Sequence, residues 1–295
     1  MNDDRTVLLI GGHDSGKTNY IVRLWLSIDS GKGRLRKNGP PEAFHYLRSI
    51  SEHILAGRFA PHTSLNVQTH CVIPVRLNGD AVVFQGTLII PDSAGEGWMN
   101  VFRSRSWSAE WEDLISQECS VLIFLRVDST ENVTPLDWIN SAELYGSPAD
   151  LPDQGGENHK EQQIPTQVLM VEWIQFLKKA FSERVGRSFR PRVGIIISAW
   201  DLAPLEQQAR DPRIFLRDNY PLLHQYLETN RDLFDFNVFA VSIVGFDLNH
   251  PEEGQIDLYL EDPYASGYVV WSDGVAFKRD DDLTLPIAWA LGLSK

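Results

Sequence analysis

Residues 11–18 read Gly-Gly-His-Asp-Ser-Gly-Lys-Thr, the pattern G-x-x-x-x-G-K-[ST], with the apolar run Thr6-Val7-Leu8-Leu9-Ile10 directly before it. Ile21, Leu24, Trp25 and Ile28 follow at helical spacing, so the pattern joins a strand to a helix. That context gives it a mechanism. A glycine turn opening a helix points unpaired backbone N–H groups and the positive end of the helix dipole into one concavity, which favours a phosphate. Gly11, Gly12, His13, Asp14, Ser15 and Gly16 form the cradle, Lys17 adds a point charge for the outer phosphates, and Thr18 offers a hydroxyl to Mg²⁺.

The 295 residues, 43% of them hydrophobic, suit one large α/β domain spanning residues 1–295. A formal charge of −13 and a pI near 5.0 argue against nucleic acid or an anionic membrane as partner, because those surfaces demand clustered Lys and Arg. A nucleotide is compatible, since local amides, one Lys and Mg²⁺ bind it whatever the global charge. The opening Met-Asn-Asp-Asp-Arg lacks the basic and apolar regions of a secretory signal, and no apolar run approaches the length of a membrane span. Cys71 and Cys119 sit in apolar, strand-like runs, as small buried hydrophobes in a reducing compartment do. The expected location is the cytoplasm, with no nucleic acid bound and no membrane insertion.

Strand and helix signals then alternate as in a parallel sheet covered on both faces. After a polar stretch from Asp29 to Pro41 comes a short helix from Pro41 to Ala56. Val67 to Leu77 and Ala81 to Ile90 read as strands joined by the hairpin turn Asn78-Gly79-Asp80. Trp107 to Gln117 reads as helix, Cys119 to Val127 as a buried strand, and Gln167 to Arg184 as a helix with Met170, Trp173, Phe176, Leu177, Ala180 and Phe181 on one stripe. Val193 to Ile197 is a strand, Pro212 to Thr229 a helix interrupted near Pro221, and Asn237 to Val244 the last central strand. Residues 128–163, rich in Pro, Gly, Asp and Glu, form a surface insertion.

The second informative constellation is Pro91-Asp92-Ser93-Ala94-Gly95-Glu96, of the form D-x-x-G, directly after the strand ending at Ile90. An Asp at the carboxyl end of a strand beside the glycine-loop strand holds Mg²⁺ through a water, and Gly95 lets a backbone N–H approach the γ-phosphate.

Taken together, these residues resemble the Ras-like small GTPases and the wider translation-factor-related class of P-loop GTPases, whose Asp-Thr-Ala-Gly-Gln is close to the present Asp-Ser-Ala-Gly-Glu. The resemblance covers roughly residues 5–246. It implies a three-layer α/β fold with a six-stranded, mostly parallel sheet carrying one antiparallel strand. It also implies a GTP-hydrolysing switch with Mg²⁺ and GTP or GDP as cofactors and a protein effector or activator as partner. Residues 61–67 resemble an Arf-type switch segment, making Thr63 the metal and γ-phosphate ligand, with Thr69 as the alternative. The base-reading motif of these proteins aligns with Ser198-Ala199-Trp200-Asp201, so Asp201 pairs with the guanine N1 and N2 donors. Ala199 replaces a Lys whose stem covers the base. Trp200 either takes over that cover or packs internally. Ser242-Ile243-Val244-Gly245 matches the last loop of the resemblance.

Three departures bear on catalysis. Glu96 stands where these enzymes use Gln to orient water, His13 where small GTPases keep Gly, and Asp14 where potassium-stimulated relatives place Asn, which opens a site for K⁺. Hydrolysis is therefore expected to be slow, with Lys17, Thr63 and Glu96 as the catalytic set. Arg58, Arg103 and Arg105 are either an internal arginine finger or solvated surface. Residues 247–295, with Tyr259, Tyr264, Tyr268, Trp271 and Trp289, are a C-terminal extension that serves as a partner surface or covers the sheet edge. That tail and the long segment before Thr63 resemble the bacterial double-GTPase group of multigene conflict systems, which implies a role in defence. The alternatives are a P-loop ATPase, given Ala199, and a scaffold locked around its nucleotide.

Overall fold

A strand with an unbroken apolar run has no face to turn to water. Strand β1 (Arg5–Gly11), buried at every residue after Arg5, accordingly lies inside a sheet with helices on both sides. The computed structural model describes residues 5–12, 14–41, 44–60, 71–77, 85–90, 101–107, 115, 119–129, 132–133, 164–186 and 189–293. After β1 come α1 (Lys17–Ser30), β2 (Leu35–Lys37), α2 (Phe44–Leu55), β3 (Cys71–Leu77), β4 (Gln85–Ile90), β5 (Cys119–Arg126), α3 (Thr166–Arg184) and β6 (Arg192–Ser198). They are followed by α4 (Leu205–Gln208), α5 (Pro212–Asn219), α6 (Pro221–Thr229), β7 (Asp235–Ser242), α7 (Gln255–Glu261), β8 (Tyr268–Ser272), β9 (Phe277–Asp280) and α8 (Leu285–Ala290).

The strand order is β2-β3-β4-β1-β5-β6-β7-β8-β9. Its six central strands, β3 to β7 with β1 among them, are the expected mostly parallel sheet, β3 being the antiparallel member. The sheet is longer than expected by β2 at one edge and by β8 and β9 at the other, all paired antiparallel. Strand β2 lies inside the stretch read as merely polar, because three residues carry no legible alternation. The hairpin pairing runs from Cys71 opposite Ile90 to Arg76 opposite Gln85, while the turn Asn78-Gly79-Asp80 lies outside the described residues. So does most of the helix expected at Trp107 to Gln117, and most of the insertion at 128–163. The expected break at Pro221 separates α5 from α6, as a residue without an N–H requires.

Alternate side chains of the central strands divide the core. Val7, Leu9, Leu122, Phe124, Ile196 and Val241 join the cluster under α1, α2 and α8, whereas Leu8, Ile10, Val121, Ile123, Ile195 and Val238 join the one under α3, α5 and α6. The tail is part of this core. Tyr20 Oη donates to the Leu283 carbonyl at 2.9 Å, Arg5 Nη1 to the Leu291 carbonyl at 2.7 Å, and the buried Arg23 guanidinium to the carbonyls of Pro263 and Ser266. Of the two uses foreseen for residues 247–295, covering and extending the sheet edge is what β8, β9 and α8 do.

Two strands separate β3 from β5, so Cys71 and Cys119 are at least about 14 Å apart at roughly 4.8 Å per strand, well beyond the span of a disulfide. Burial pushes the Cys119 thiol up to about 12, which keeps it protonated and inert. No helix among the described residues is long and apolar enough to cross a membrane.

Chain direction sets where a ligand fits. From β1 the chain moves toward β4, and from β5 it moves the other way toward β6, so the carboxyl ends of β1 and β5 bound the crevice of a doubly wound sheet. If the tail closes the core as described, Ile287→Ala, at a fully buried position of α8, should lower the unfolding free energy by about 3 kcal/mol in urea titration. A loss below about 0.5 kcal/mol would show that α8 is dispensable to the core.

Candidate phosphate-binding site

Strand β1 delivers the chain into the crevice at Gly11, and the loop to α1 uses two left-handed residues, Asp14 at φ 56° and Gly16 at φ 77°. A Cβ on Gly16 would stand 2.5 Å from Ser198 Oγ, and one on Gly11 2.6 Å from Ser15 Oγ. Close approach thus dictates both glycines, and the backbone angle dictates Gly16 a second time. On the other side the loop is open among the described residues: a Cβ on Gly12 would meet none of them within 4 Å. Ser15 Oγ is buried with no hydrogen-bond partner among the described residues. Lys17 and Thr18 form the first turn of α1, each half-buried. An open glycine cradle at a helix start with an orphaned hydroxyl fits a phosphate group.

Ser198 holds the loop from below. Its buried Oγ donates to the Ser15 carbonyl at 2.8 Å. The sequence placed Ser198 among base-reading residues; the fold places its hydroxyl under the loop instead, at the end of β6.

Asp14 is tied on its other flank. Arg126 Nη1 donates to Asp14 Oδ1 at 3.0 Å and Ser129 Oγ to Oδ2 at 3.0 Å, while Arg126 Nε holds Asp128 Oδ1 at 2.7 Å. Partial burial works against the Arg126 charge, but the carboxylates of Asp128 and Asp14 outweigh it and hold the guanidinium above its ordinary value. A carboxylate in a phosphate cradle would repel phosphate, and Arg126 offsets that charge. Among the described residues the cation facing Asp14 is Arg126. Sequence reasoning missed Arg126, Asp128 and Ser129. Their one signal is a charged Arg-x-Asp closing an otherwise apolar strand.

Asp201 sits in the short 3₁₀ turn Trp200–Leu202, which Ala199 enters at φ 55°. Burial raises its carboxyl above the ordinary range; a hydrogen bond from Ser242 works the other way, and the charges of Asp247 and Asp128 add to the rise. Ser242 is itself fully buried, and its Oγ also accepts from the Gly245 N–H at 2.8 Å. It fixes Asp201 and the loop after β7. Trp200 is fully buried and meets Phe215 edge-on at 5.5 Å, so of its two foreseen uses it takes internal packing and not cover of a base.

Thr63, Thr69, Asp92, Gly95, Glu96 and His13 lie outside the described residues. Strand β4 runs parallel to β1 and ends at Ile90, so the chain leaves β4 at the end of the sheet that carries the glycine loop. Arg58 and Arg103 are exposed. Arg105 pairs with Glu172 of α3 and lies over the Phe102 and Phe176 rings, at 4.8 and 5.2 Å from their centroids.

A parallel sheet that reverses direction beside a glycine loop, with that loop opening α1, defines a P-loop nucleotide-binding fold. The chain belongs to the Double-GTPase 1 family, whose profile matches residues 8–290. No curated protein matches it. Solved structures similar to it include Roco2 RocCORdC of Methanosarcina barkeri bound to GDP, at 12% identity and TM-score 0.33, covering 89% of this chain and 48% of that one. Another is a GTP-binding protein of Sulfolobus solfataricus in complex with GDP, at 10% identity and TM-score 0.28, covering 89% and 51%. The chain spans about half the length of each.

The Asp201 environment makes a prediction independent of ligand. A carboxyl raised in the folded state binds its proton more tightly there than when unfolded, so its ionisation weakens folding as pH rises through the folded value, and below the ordinary carboxylate range that penalty is absent. Asp201→Asn should therefore stabilise the protein at about pH 7 relative to the parent and lose that advantage near about pH 3. Chemical denaturation at the two pH values measures it, and an advantage of equal size at both contradicts the assignment.

Proposed function

We propose that this chain is a Mg²⁺-dependent guanine-nucleotide switch that binds GTP at the glycine loop and hydrolyses it slowly. The observation that carries the reading is the loop, held at Ser15 and Asp14, open at Gly12 and placed at the start of α1. In this reading the backbone N–H groups of Gly11 to Gly16, His13 included, surround the phosphates and Lys17 neutralises them. Thr18, Thr63 and Asp92 hold Mg²⁺, which when bound offsets the charge of the outer phosphates. The Gly95 N–H meets the γ-phosphate, and its loss on hydrolysis releases the segments around Thr63 and Gly95. Asp201, oriented by Ser242, accepts from the two donors on guanine. The single domain over residues 1–295, a protein effector or activator, a cytoplasmic setting and a regulatory part in a bacterial conflict system complete the proposal.

Lys17→Ala should weaken triphosphate binding by about 2 kcal/mol. In competition against a fluorescent guanine nucleotide, GTP should outperform ATP about tenfold, because adenine lacks the donors that Asp201 accepts, and Asp201→Ala should erase the preference. Equal competition by ATP favours the ATPase reading, for which Ala199 and the buried Trp200, leaving the base uncovered from this loop, are the specific observations. Unchanged affinity in Lys17→Ala overturns the site.

Hydrolysis should be slower than about 1 s⁻¹ in single-turnover phosphate release, because Glu96 accepts but cannot donate a hydrogen bond and sets negative charge beside the γ-phosphate. His13, if cationic, would act in the opposite sense. Potassium should leave this rate unchanged in the parent and raise it in Arg126→Ala, where the cation place at Asp14 is freed. A faster parent rate in either salt overturns the slow switch, and bound GTP that never turns over selects the nucleotide-locked scaffold.

A further inference from the structure

Strand β8 covers only half of its neighbour. The two pair from Phe239 opposite Trp271 to Ser242 opposite Tyr268, so the first half of β7 has β6 on one side and, among the described residues, no strand on the other. The uncovered edge floors a cleft of about 870 Å³, within the range of small-molecule sites. It lies at the amino end of β7, the opposite end of the parallel strands from the glycine loop.

Its polar chemistry is biased to one sign. The lining holds five Arg or Lys, at 34, 213, 231, 278 and 279, against two Asp, at 273 and 280, in a chain of formal charge −13. Three of the five cations are matched: Arg34 by Asp280 and Asp282, Arg231 by Glu228, Lys278 by Asp273. Arg213 and Arg279 have no carboxylate at ion-pair distance among the described residues. Arg213 Nη2 donates to the neutral Asn237 Oδ1 at 3.1 Å, and its buried Nε has no acceptor among the described residues. Arg279 lies over the Tyr268 ring, 3.6 Å from the centroid. Asn237, itself buried, closes the uncovered edge by accepting from the Val238 N–H at 2.9 Å. Trp271 and Trp289 line the same cleft from the α8 side of the sheet, across the uncovered edge from the guanidinium groups, which lie over Tyr268 and Phe236 of the other face.

We infer that this cleft is a second ligand site, for a nucleoside monophosphate whose phosphate meets Arg213 and Arg279 and whose base stacks on Trp271 or Trp289. Two guanidinium groups without carboxylates supply the donors that phosphate accepts, and indole faces suit a planar base. Distance from the glycine loop makes occupancy independent of the nucleotide there.

Calorimetric titration of the full chain, with the glycine loop saturated by GDP and Mg²⁺, tests this with AMP, GMP, CMP, UMP and inorganic phosphate as probes. At least one nucleoside monophosphate should bind with a stoichiometry of about one and more tightly than phosphate alone. The exposed Arg279→Gln should weaken it about tenfold or more without altering GDP affinity, and Arg213→Gln should do the same. The affinity should persist in Lys17→Ala. Absence of binding below about 1 mM, phosphate binding as well as the nucleotides, or affinity unmoved by both arginine substitutions overturns the inference. Loss of the affinity in Lys17→Ala does so too, by assigning it to the glycine loop.

Discussion

The Ser198 hydroxyl crosses from the end of β6 to the Ser15 carbonyl, and much of the loop's shape follows from that short reach. A buried bond of this kind contributes about 1 kcal/mol net, but its steric consequence is larger. With Ser198 Oγ where it is, position 16 admits no side chain, and the left-handed turn there leads into α1 with Lys17 and Thr18 in its first turn. Arg126 and Ser129 brace the loop from β5, so two neighbouring parallel strands hold it at two points. The fold brings those strand ends together, and the loop is organised before any phosphate arrives.

Charge around the loop is distributed more carefully than the overall −13 suggests. Asp14, Asp128, Asp201 and Asp247 all gather near the carboxyl ends of the central strands, and Arg126 is shared by the first two. Asp201 has no such cation among the described residues; burial keeps its carboxyl raised, and the Ser242 hydroxyl works against that rise. A carboxylate left short of compensation is stabilised by any ligand that donates two hydrogen bonds to it.

What could be read from the sequence was what local chemistry determines. The apolar runs of β1, β5, β6 and β7 announce doubly covered strands, the glycine loop announces its own turn, and Pro221 announces a helix break. The edges were not legible, since β2 is short and β9 short and mostly exposed, and β8 owes its place to pairing with a strand about 30 residues earlier. Site residues divide in the same way. Gly16 was visible in its motif, but the reason for it, Ser198, is 182 positions away, and Arg126 looks like any charged strand end until Asp14 is set beside it. Trp200 was ambiguous in sequence because burial and base cover demand the same flat apolar side chain; Phe215 decides it.

Arg23 stands two turns into the helix that begins at the glycine loop, yet its carbonyl acceptors at Pro263 and Ser266 lie 240 and 243 residues later. During synthesis at ~5–20 residues per second, roughly 10–50 s pass between the emergence of the guanidinium and that of its acceptors. Through that interval the guanidinium faces water, because the segment that buries it is the same one that carries its acceptors. The final packing of the first helix therefore waits until nearly all of the chain has been made, and one late segment serves as its lock.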